Sequence, residues 1–493
     1  MAIRYDMENW LHNTDLSGMG KATLVFHTSC VNFQDEDLNY LAQTGLDWCV
    51  PDNVRVELEI LKENAGEFGP SAISCRAARI LDRAKGMGLM GRVGRSAPWD
   101  LEQLYIDQGR RGSVDRGIFS GRTLVFLFGE RYKMYEFLEY SRELRGHWIL
   151  LLNEGEWLCS QGRVASLSRE HADLRSRARN FWSGRECMPV GVEPRACPGE
   201  KLRRIRSFAC IGEGWPQGLG IPGSALGKEI GSGSYASVHR SHKALGGELV
   251  KIFTDWDLVG NGVGKIRTLV AASGDMAHLP LAMPQRMLKC NHRLTNVIGY
   301  TMKELEGRPA HWIIMGEWPE DADPAQVLRR MGALLIEVHA RGMLVNDLSY
   351  NNVLVSGNGK VGFVDCDSFQ YQGYPGGQIT PIYRHRDLED VDCERVLRKP
   401  MHEYFAFAVL MYQLIMGVID PLDAIVEDVG YKRTWKNTRF PLDWDTRRSD
   451  SIGDAILERW VSQDEPTRKL FADVFCFRRS YSIGAILRDL GLL

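Results

Sequence analysis

Three polar side chains near the middle of the chain have the types and the spacing of a site that handles a phosphate-bound metal ion. Asp347 and Asn352 lie close together, and Asp365 follows the apolar stretch Val361–Val364. Carboxylate and amide oxygens are ligands that magnesium prefers, and a carboxylate can also take the proton of an attacking hydroxyl group. This set of an acid, an amide and a second acid predicts transfer of a phosphoryl group from Mg-ATP.

Two motifs upstream have the residue types that hold a nucleotide. Glycines between two β-prone stretches let main-chain N–H groups approach phosphates closely. A lysine on the next apolar strand, Leu249–Phe253, supplies a point charge to the α- and β-phosphates. The residues predicted to contact ATP are Gly231, Gly233, Ala236, Val238, Lys251, Met315 and Glu317.

In this order the motifs resemble those of the protein kinase family, over about residues 224–490. The segment Asp347-Leu-Ser-Tyr-Asn-Asn352 resembles the catalytic loop His-Arg-Asp-Leu-x-x-x-x-Asn. The segment Asp365-Cys-Asp-Ser-Phe-Gln370 resembles an atypical bacterial branch that writes its metal-binding motif as Asp-x-Asp-Ser-Phe-Gln. The resemblance implies a bilobal α+β fold and an ATP-dependent kinase, with Ser or Thr of a protein favoured as the acceptor.

The resemblance also implies a role for each residue. Asp347 orients the acceptor hydroxyl group and takes its proton, while Asn352 and Asp365 bind Mg²⁺ or Mn²⁺. Lys251 is a catalytic residue as well as an ATP contact. Asp367 is either a second metal ligand or a cap of the next turn.

Several positions depart from the kinase pattern. The usual His-Arg before Asp347 is Val345-Asn346, which argues against control by a phosphorylated activation loop. Gly264 occupies the place of the helix glutamate that pairs with the lysine. Either another acid, such as one in Asp255–Asp257, pairs with Lys251, or the orientation of that helix is unusual. Glu403 stands where the family has an aspartate that holds the catalytic loop. The two acids and the amide of the chemistry, Asp347, Asp365 and Asn352, all remain, which favours an active kinase over a pseudokinase.

The first part of the chain has the pattern of an α/β domain. Apolar runs at Thr23–Phe26, Trp48–Val50 and Trp148–Leu152 predict strands, and helical spacing of apolar residues at Val54–Lys62 and Ala72–Ala84 predicts helices. Alternation of the two types predicts a mostly parallel sheet.

Four short segments of this part resemble PIN-like nucleases over about residues 20–160. The first is Thr23-Leu-Val-Phe-His27-Thr-Ser29, in which His27 replaces the family's aspartate. The resemblance implies a metal-dependent nuclease-like site of His27, Glu57, Asp115 and Glu154. The structural alternative is that Glu57 caps or pairs on a helix surface and that His27 is a hydrogen-bonded residue at a strand end.

Between the two parts lies an arginine-rich stretch, residues 163–206, in which prolines break the later half. It predicts a basic helix and a linker. Its charges either lie on a solvent-exposed helix face or bind RNA or another polyanion. The predicted organisation is therefore a PIN-like domain over 1–160, a basic helix and linker over 161–222, and a kinase-like domain over 223–493.

Composition places the chain among soluble globular proteins. It has 493 residues, 44% of them hydrophobic and 25% charged, with a formal net charge of −2, so its overall charge does not predict nucleic-acid binding. Its 11 cysteines include no Cys-x-x-Cys pair, which suits a reducing cytoplasm. No signal peptide is evident, and the longest apolar run, Tyr404–Ile419, predicts a buried helix because a membrane span needs about 20 residues.

Three functions compete on this evidence. The first is a Ser/Thr-type protein kinase whose front domain recognises a partner or RNA. The second is a PIN-type ribonuclease effector controlled by a nucleotide-sensing pseudokinase. The third is a scaffold built from two inactive domains. The kinase residues are present while His27 breaks the nuclease set, so the first is favoured.

Overall fold

The computed structural model of the chain describes residues 23–43, 45–85, 124–130, 134, 148–153, 156–160, 207–211, 220–222, 226–232, 236–241, 248–253, 262–290, 297–422, 434–436, 438, 440, 442, 454–477, 479 and 481–493.

The described residues up to 160, here called the front unit, form a five-stranded sheet with helices. The elements are β1 (Thr23–Phe26), α1 (Asp35–Gln43), β2 (Asp47–Cys49), α2 (Asp52–Glu67), α3 (Ala72–Lys85), β3 (Leu124–Phe128), β4 (Trp148–Asn153) and β5 (Glu156–Ser160). The order is β2-β1-β3-β4-β5, parallel except for the β4–β5 pair. The predicted strands, helices and mostly parallel sheet are confirmed. β1 is buried at every residue, as expected for a strand covered on both faces.

The described residues from 207 onward, here called the rear unit, begin with a seven-stranded antiparallel sheet. Its elements are β6 (Ser207–Ile211), β7 (Gly220–Pro222), β8 (Leu226–Ser232), β9 (Ala236–Ser241), β10 (Leu249–Phe253), α4 (Gly262–Ala272), β11 (Pro284–Cys290) and β12 (Val297–Met302). The order is β7-β6-β11-β12-β10-β9-β8. The sheet starts earlier than the expected boundary at residue 223. Two short strands in the predicted linker, β6 and β7, pair with each other, and β6 also pairs with β11.

The second half of the rear unit is mainly helical. It contains β13 (Arg308–Pro309), α5 (His311–Ile314), α6 (Pro324–Ala340), β14 (Val353–Val355), β15 (Val361–Phe363), α7 (Pro400–Met416), α8 (Asp454–Ser462), α9 (Glu465–Phe475) and α10 (Ile483–Asp489). α7 is buried along nearly its whole length, as expected for a helix that is apolar on all sides. The predicted buried helix is confirmed. Among the helices that the structure describes, none has the length and apolar character needed to cross a membrane.

The front unit packs directly on the helical half of the rear unit. α2 contacts α6 and α10. At Gly484 of α10, an added Cβ would lie 3.0 Å from Val56 of α2, so a larger residue would push the helices apart. Asn64 of α2 is buried and donates to Glu337 Oε1 of α6 at 3.0 Å. The two units therefore share an interface with buried apolar and polar contacts.

Candidate functional site

Lys251 lies at the centre of a buried cluster of charges. Its Nζ donates to Asp367 Oδ1 at 2.7 Å and also to Asp365. Tyr300 Oη donates to the same oxygen of Asp367 at 2.6 Å. Strand register explains the arrangement, because Lys251 on β10 is paired with Tyr300 on β12.

Asp367 and Asp365 are both counter-charges of Lys251, and Asp367 is the more buried of the two. Burial opposes the charged ammonium group, but the charges of Asp367 and Asp365 outweigh burial and raise the pKa of Lys251 above its usual range. Burial alone would raise the pKa of Asp367, but Lys251, with a hydrogen bond from Tyr300, lowers it. The pKa of Asp365 is raised, first by burial and then by the charge of Asp367. Asp367 thus holds the lysine in the place of a helix glutamate.

The expected alternative partner of Lys251, an acid in Asp255–Asp257, lies outside the described residues. The two described acids both follow β15 in sequence. The interpretation of Asp367 as a metal ligand or turn cap missed this role, because the contact joins residues more than a hundred positions apart.

A second lysine approaches the same acids from α4. Lys265, next to Gly264, is 7% exposed. Burial, together with the positive charges of Arg398 and Lys251, lowers the pKa of Lys265 to about 7, although Asp367 favours its charged form. The helix that carries a glutamate in the kinase pattern therefore carries a buried lysine here.

We expect Lys265→Met to remove a pH-dependent part of the stability. In the folded chain the pKa of Lys265 is about 7, whereas a lysine in the unfolded chain titrates near pH ~10.4. Between these two pKa values the unfolded chain binds one more proton than the folded chain does. The free energy of unfolding of the wild type therefore rises with pH, by up to about 1.4 kcal/mol per pH unit.

Urea unfolding of both proteins from about pH 6.5 to about pH 8 measures this effect while most cysteines stay protonated. The wild type should gain stability relative to Lys265→Met across the range. Lys360→Met removes an exposed lysine and should show a constant difference from the wild type. A constant difference for Lys265→Met as well would contradict the expectation.

Asp347 and Asn352 are joined in one turn between α6 and β14. Asn352 Nδ2 donates to the main-chain oxygen and to Oδ2 of Asp347, both at 2.9 Å. The other carboxylate oxygen of Asp347 accepts from Thr380 N at 2.8 Å. Val364 N, directly before Asp365, donates to Asn352 O at 3.0 Å. The turn therefore brings the predicted general base and the two predicted metal ligands to one place.

Behind this turn, Asn346 is held from three sides. It has a φ of 70°, in the left-handed region that Asn tolerates better than most residues. Its N–H donates to Glu403 Oε1 at 2.8 Å, which is the contact expected of Glu403. Its side chain accepts from Arg398 Nη1 at 2.7 Å and donates to Ser368 O at 2.8 Å. Burial lowers the pKa of Arg398 to about 10. Sequence analysis missed this buried arginine, which joins the turn to the segment before α7.

The glycine hairpin is described in part. β8 and β9 pair antiparallel, with Val238 opposite Gly231. Val238 is also opposite Lys251 on β10, and Ala236 is buried beside them. Gly233 lies outside the described residues. The hairpin strands thus run next to the strand that carries the lysine, as the motif predicts.

Met315 and Glu317 do not join this cluster. Met315 is 59% exposed at the end of α5, and Glu317 pairs with Arg308 at 3.1 Å on the surface. The reason is that β12 ends at Met302, so residues 303–307 form the connection between the large sheet and the helical half. The contacts predicted between ATP and Met315 and Glu317 stay a prediction.

Asn352 and Asp365 fit a magnesium or manganese ion by donor type. Asn352 uses its Nδ2 for Asp347, which leaves its carbonyl oxygen as the atom to face a cation. Asp365 binds Lys251 through Oδ1, and its side chain is 39% exposed. The raised pKa of Asp365 indicates an incompletely compensated charge. In proteins Mg²⁺ is usually bound by such oxygen ligands together with substrate phosphates. An ion held by Asn352 and Asp365 would neutralise phosphate charge.

The nuclease-like residues lie at a closed edge of the front unit. His27 Nδ1 accepts from Ser29 N at 3.1 Å, and Thr28 Oγ1 donates to Glu57 Oε2 at 2.5 Å. His27 is 4% exposed. Thr28, Ser29 and Glu57 line a small cavity whose remaining walls are residues of the rear unit, Ile336, His339, Ala340 and Tyr404. Asp115, Glu154 and the basic stretch 163–206 lie outside the described residues.

His385, Asp387 and His402 form a group close enough to hold a metal ion, but their hydrogen bonds indicate caps. His385 Nδ1 accepts from Asp387 N at 3.2 Å, and His402 Nδ1 accepts from Lys399 N at 3.3 Å. A metal-bound imidazole normally donates its other N–H. Burial and the nearby His385 lower the pKa of His402, which keeps that ring neutral.

Comparisons with known proteins were made for sequence and structure. No family model matches the sequence, and no curated protein matches it significantly. Among solved structures, the chain is similar to one described as the ROP18 kinase domain in complex with AMP-PNP and sucrose. The two are 15% identical with a TM-score of 0.39, over 58% of this chain and 81% of that chain. A TM-score of this size does not by itself establish a fold.

Proposed function

We propose that the rear unit is an ATP-dependent phosphotransferase of the protein-kinase type and that Ser or Thr of a protein is its acceptor. The observation that carries this proposal is the gathering of Lys251, Asp365 and Asp367 into one cluster with Lys251 on β10. The Asp347–Asn352 turn, joined to Val364 by a main-chain hydrogen bond, supports it. The order of glycine hairpin, lysine strand, helix, catalytic turn and second acid also follows the kinase pattern.

In the proposed reaction the acceptor hydroxyl oxygen attacks the γ-phosphorus of ATP, and the bond to the β–γ bridging oxygen breaks to release ADP. Asp347 orients the hydroxyl group and takes its proton. Lys251 neutralises phosphate charge, and Asp367 keeps its ammonium group in place. Asn352 and Asp365 are the ligands proposed for the metal ion.

The ribonuclease alternative receives less support from the geometry. Of its two described residues, Glu57 lies where the front unit meets α6, and His27 is buried at the adjoining strand end. His27 Nδ1 accepts from Ser29 N, and Glu57 accepts from Thr28 Oγ1. An RNA strand would have to separate the units to reach them. The front unit is therefore better suited to recognition or support than to cleavage.

The proposal is tested by incubating the full chain with Mg²⁺, γ-labelled ATP and a generic Ser/Thr protein substrate. Label should appear on protein with the wild type and fall by at least about tenfold with Asp365→Asn, because a metal ligand is weakened. Asp321→Asn changes an exposed acid and serves as the matched control. ATP binding by the wild type, measured as a thermal shift, without any transfer would support the nucleotide-sensing alternative.

A further inference from the structure

The end of α6 leads directly into the catalytic turn, and the front unit holds that end. Asn32 Nδ2 donates to Ala340 O, in the last turn of α6, at 2.6 Å. The last carbonyl groups of a helix have no partner within the helix, so this bond satisfies one of them from the other unit. Asn32 Nδ2 also donates to Glu130 Oε1 at 2.9 Å, which fixes the amide.

Glu130, which follows β3, lies close to the same end of α6. Gly342 has a φ of 70°, and a Cβ there would lie 2.8 Å from Glu130 Oε2. A residue with a Cβ would be strained at this φ and would require the Glu130 carboxylate to shift. The chain then passes in a few residues from Gly342 to Asp347. A shift of the front unit at Asn32 therefore reaches the proposed general base over a short, buried path.

A second connection runs from α6 to the same turn. His339, next to Ala340, lies with Nε2 2.6 Å from Glu403 Oε2. The other oxygen of Glu403 accepts from Asn346 N, directly before Asp347. The side chains of His339 and Glu403 are 8% and 3% exposed, so this chain of contacts is buried.

The middle of α6 depends on the front unit in a similar way. Glu337 is 2% exposed, and its carboxylate binds Arg341 and accepts from Asn64 Nδ2 at 3.0 Å. Removing a hydrogen-bond donor from a buried carboxylate lowers the stability of the folded chain. Asn64 thus fixes the rotation of α6, while Asn32 fixes its end.

We propose that Asn32 and Asn64 of the front unit are positioning residues for phosphoryl transfer, acting through α6 on the turn that carries Asp347. This inference rests on the proposed kinase function. A misplacement of about 1 Å at reacting groups can cost about 100-fold in rate, so loss of the Asn32 contacts should affect turnover. The residues proposed to hold ATP lie on other elements and should be spared.

The test compares steady-state kinetics and hydrogen exchange in the full chain for Asn32→Ala, Asn64→Ala and Asn32→Gln, which keeps the amide donor. Glu63→Ala is the matched control, because it removes an exposed ion pair with Arg329 across the same interface. We expect Asn32→Ala to lower kcat about tenfold, with KM for ATP changed less than about twofold. Main-chain exchange at residues 345–352 should rise, and Asn32→Gln should recover part of kcat.

The outcomes separate this inference from the proposed function. If folded Asn32→Ala and Asn64→Ala keep both wild-type kcat and wild-type exchange at residues 345–352, the positioning role is wrong while the kinase stands. If Asn32→Ala unfolds, Asn64→Ala decides by the same two measurements. If the wild type transfers no phosphate, the kinase proposal fails, and unchanged exchange at 345–352 in the variants would also overturn the coupling.

Discussion

Asp347→Ala is expected to lower the rate of phosphoryl transfer by about 10²- to 10⁴-fold, the usual contribution of a positioned general base. Both oxygens of Asp347 are held, one by Thr380 N and the other by Asn352 Nδ2, so the carboxylate has a fixed direction. Alanine removes the acceptor of the proton and the group that orients the hydroxyl. Lys251 and its two acids are untouched, so ATP should still bind.

Single-turnover transfer of labelled phosphate measures the first effect, and the shift of Tm by Mg-ATP measures the second. Ser349→Ala is the matched control, because it removes a buried hydroxyl group from the same turn without altering an acid. It should lose far less activity than Asp347→Ala. Equal rates for wild type and Asp347→Ala, with ATP bound by both, would remove Asp347 from the reaction and favour a nucleotide-sensing role.

Local sequence patterns were sufficient for the residues whose chemistry depends on spacing within one segment. Asp347 and Asn352 lie in one turn, and Asp365 follows a strand, so a short motif contains their geometry. The alternation of apolar runs likewise predicted the parallel front sheet, in which β1 is buried on both faces. In these cases the local pattern and the tertiary environment favour the same structure.

Contacts between distant segments could not be predicted in this way. Lys265 reaches the site from α4 and Arg398 from the segment before α7, and only the folded chain brings their charges beside Asp367 and Asn346. The placement of Met315 likewise depends on the fold, because the apolar Trp312–Met315 run forms a short helix and its end rather than part of a strand.

In the front unit, the environment of His27 likewise could not be predicted from the local sequence. His27 lies at a strand end, where a nuclease would need an acid, but its ring accepts the Ser29 N–H and begins a short 3₁₀ turn. The sequence shows a histidine in place of an aspartate and does not show that α6 covers the edge. That covering depends on the interface with the rear unit, which no pattern within residues 20–160 contains.

The second large effect, a loss of stability and of ATP affinity, is expected when an acid that binds Lys251 is removed. Asp367→Asn removes one of the two counter-charges of a lysine whose side chain is 12% exposed. Leaving a buried charge uncompensated costs about 3 to 5 kcal/mol, and because Asp365 still binds Lys251, urea unfolding should show a loss below that range. ATP affinity should fall as well, because the ammonium group is then held only by Asp365, the proposed metal ligand.

Lys251→Met alone is expected to destabilise the chain for the opposite reason, since it leaves two acids close together. The double variant, Lys251→Met with Asp367→Asn, should be more stable than the sum of the two losses predicts, by more than about 1 kcal/mol. Arg240 and Glu304 form an exposed pair at 2.7 Å and provide the control cycle, in which little coupling is expected. Additive losses at Lys251 and Asp367 would mean that Asp365 is the true partner of the lysine. In that case Lys251 would compete with the metal ion for one carboxylate, and Mg²⁺ would have to displace the lysine before ATP could be held.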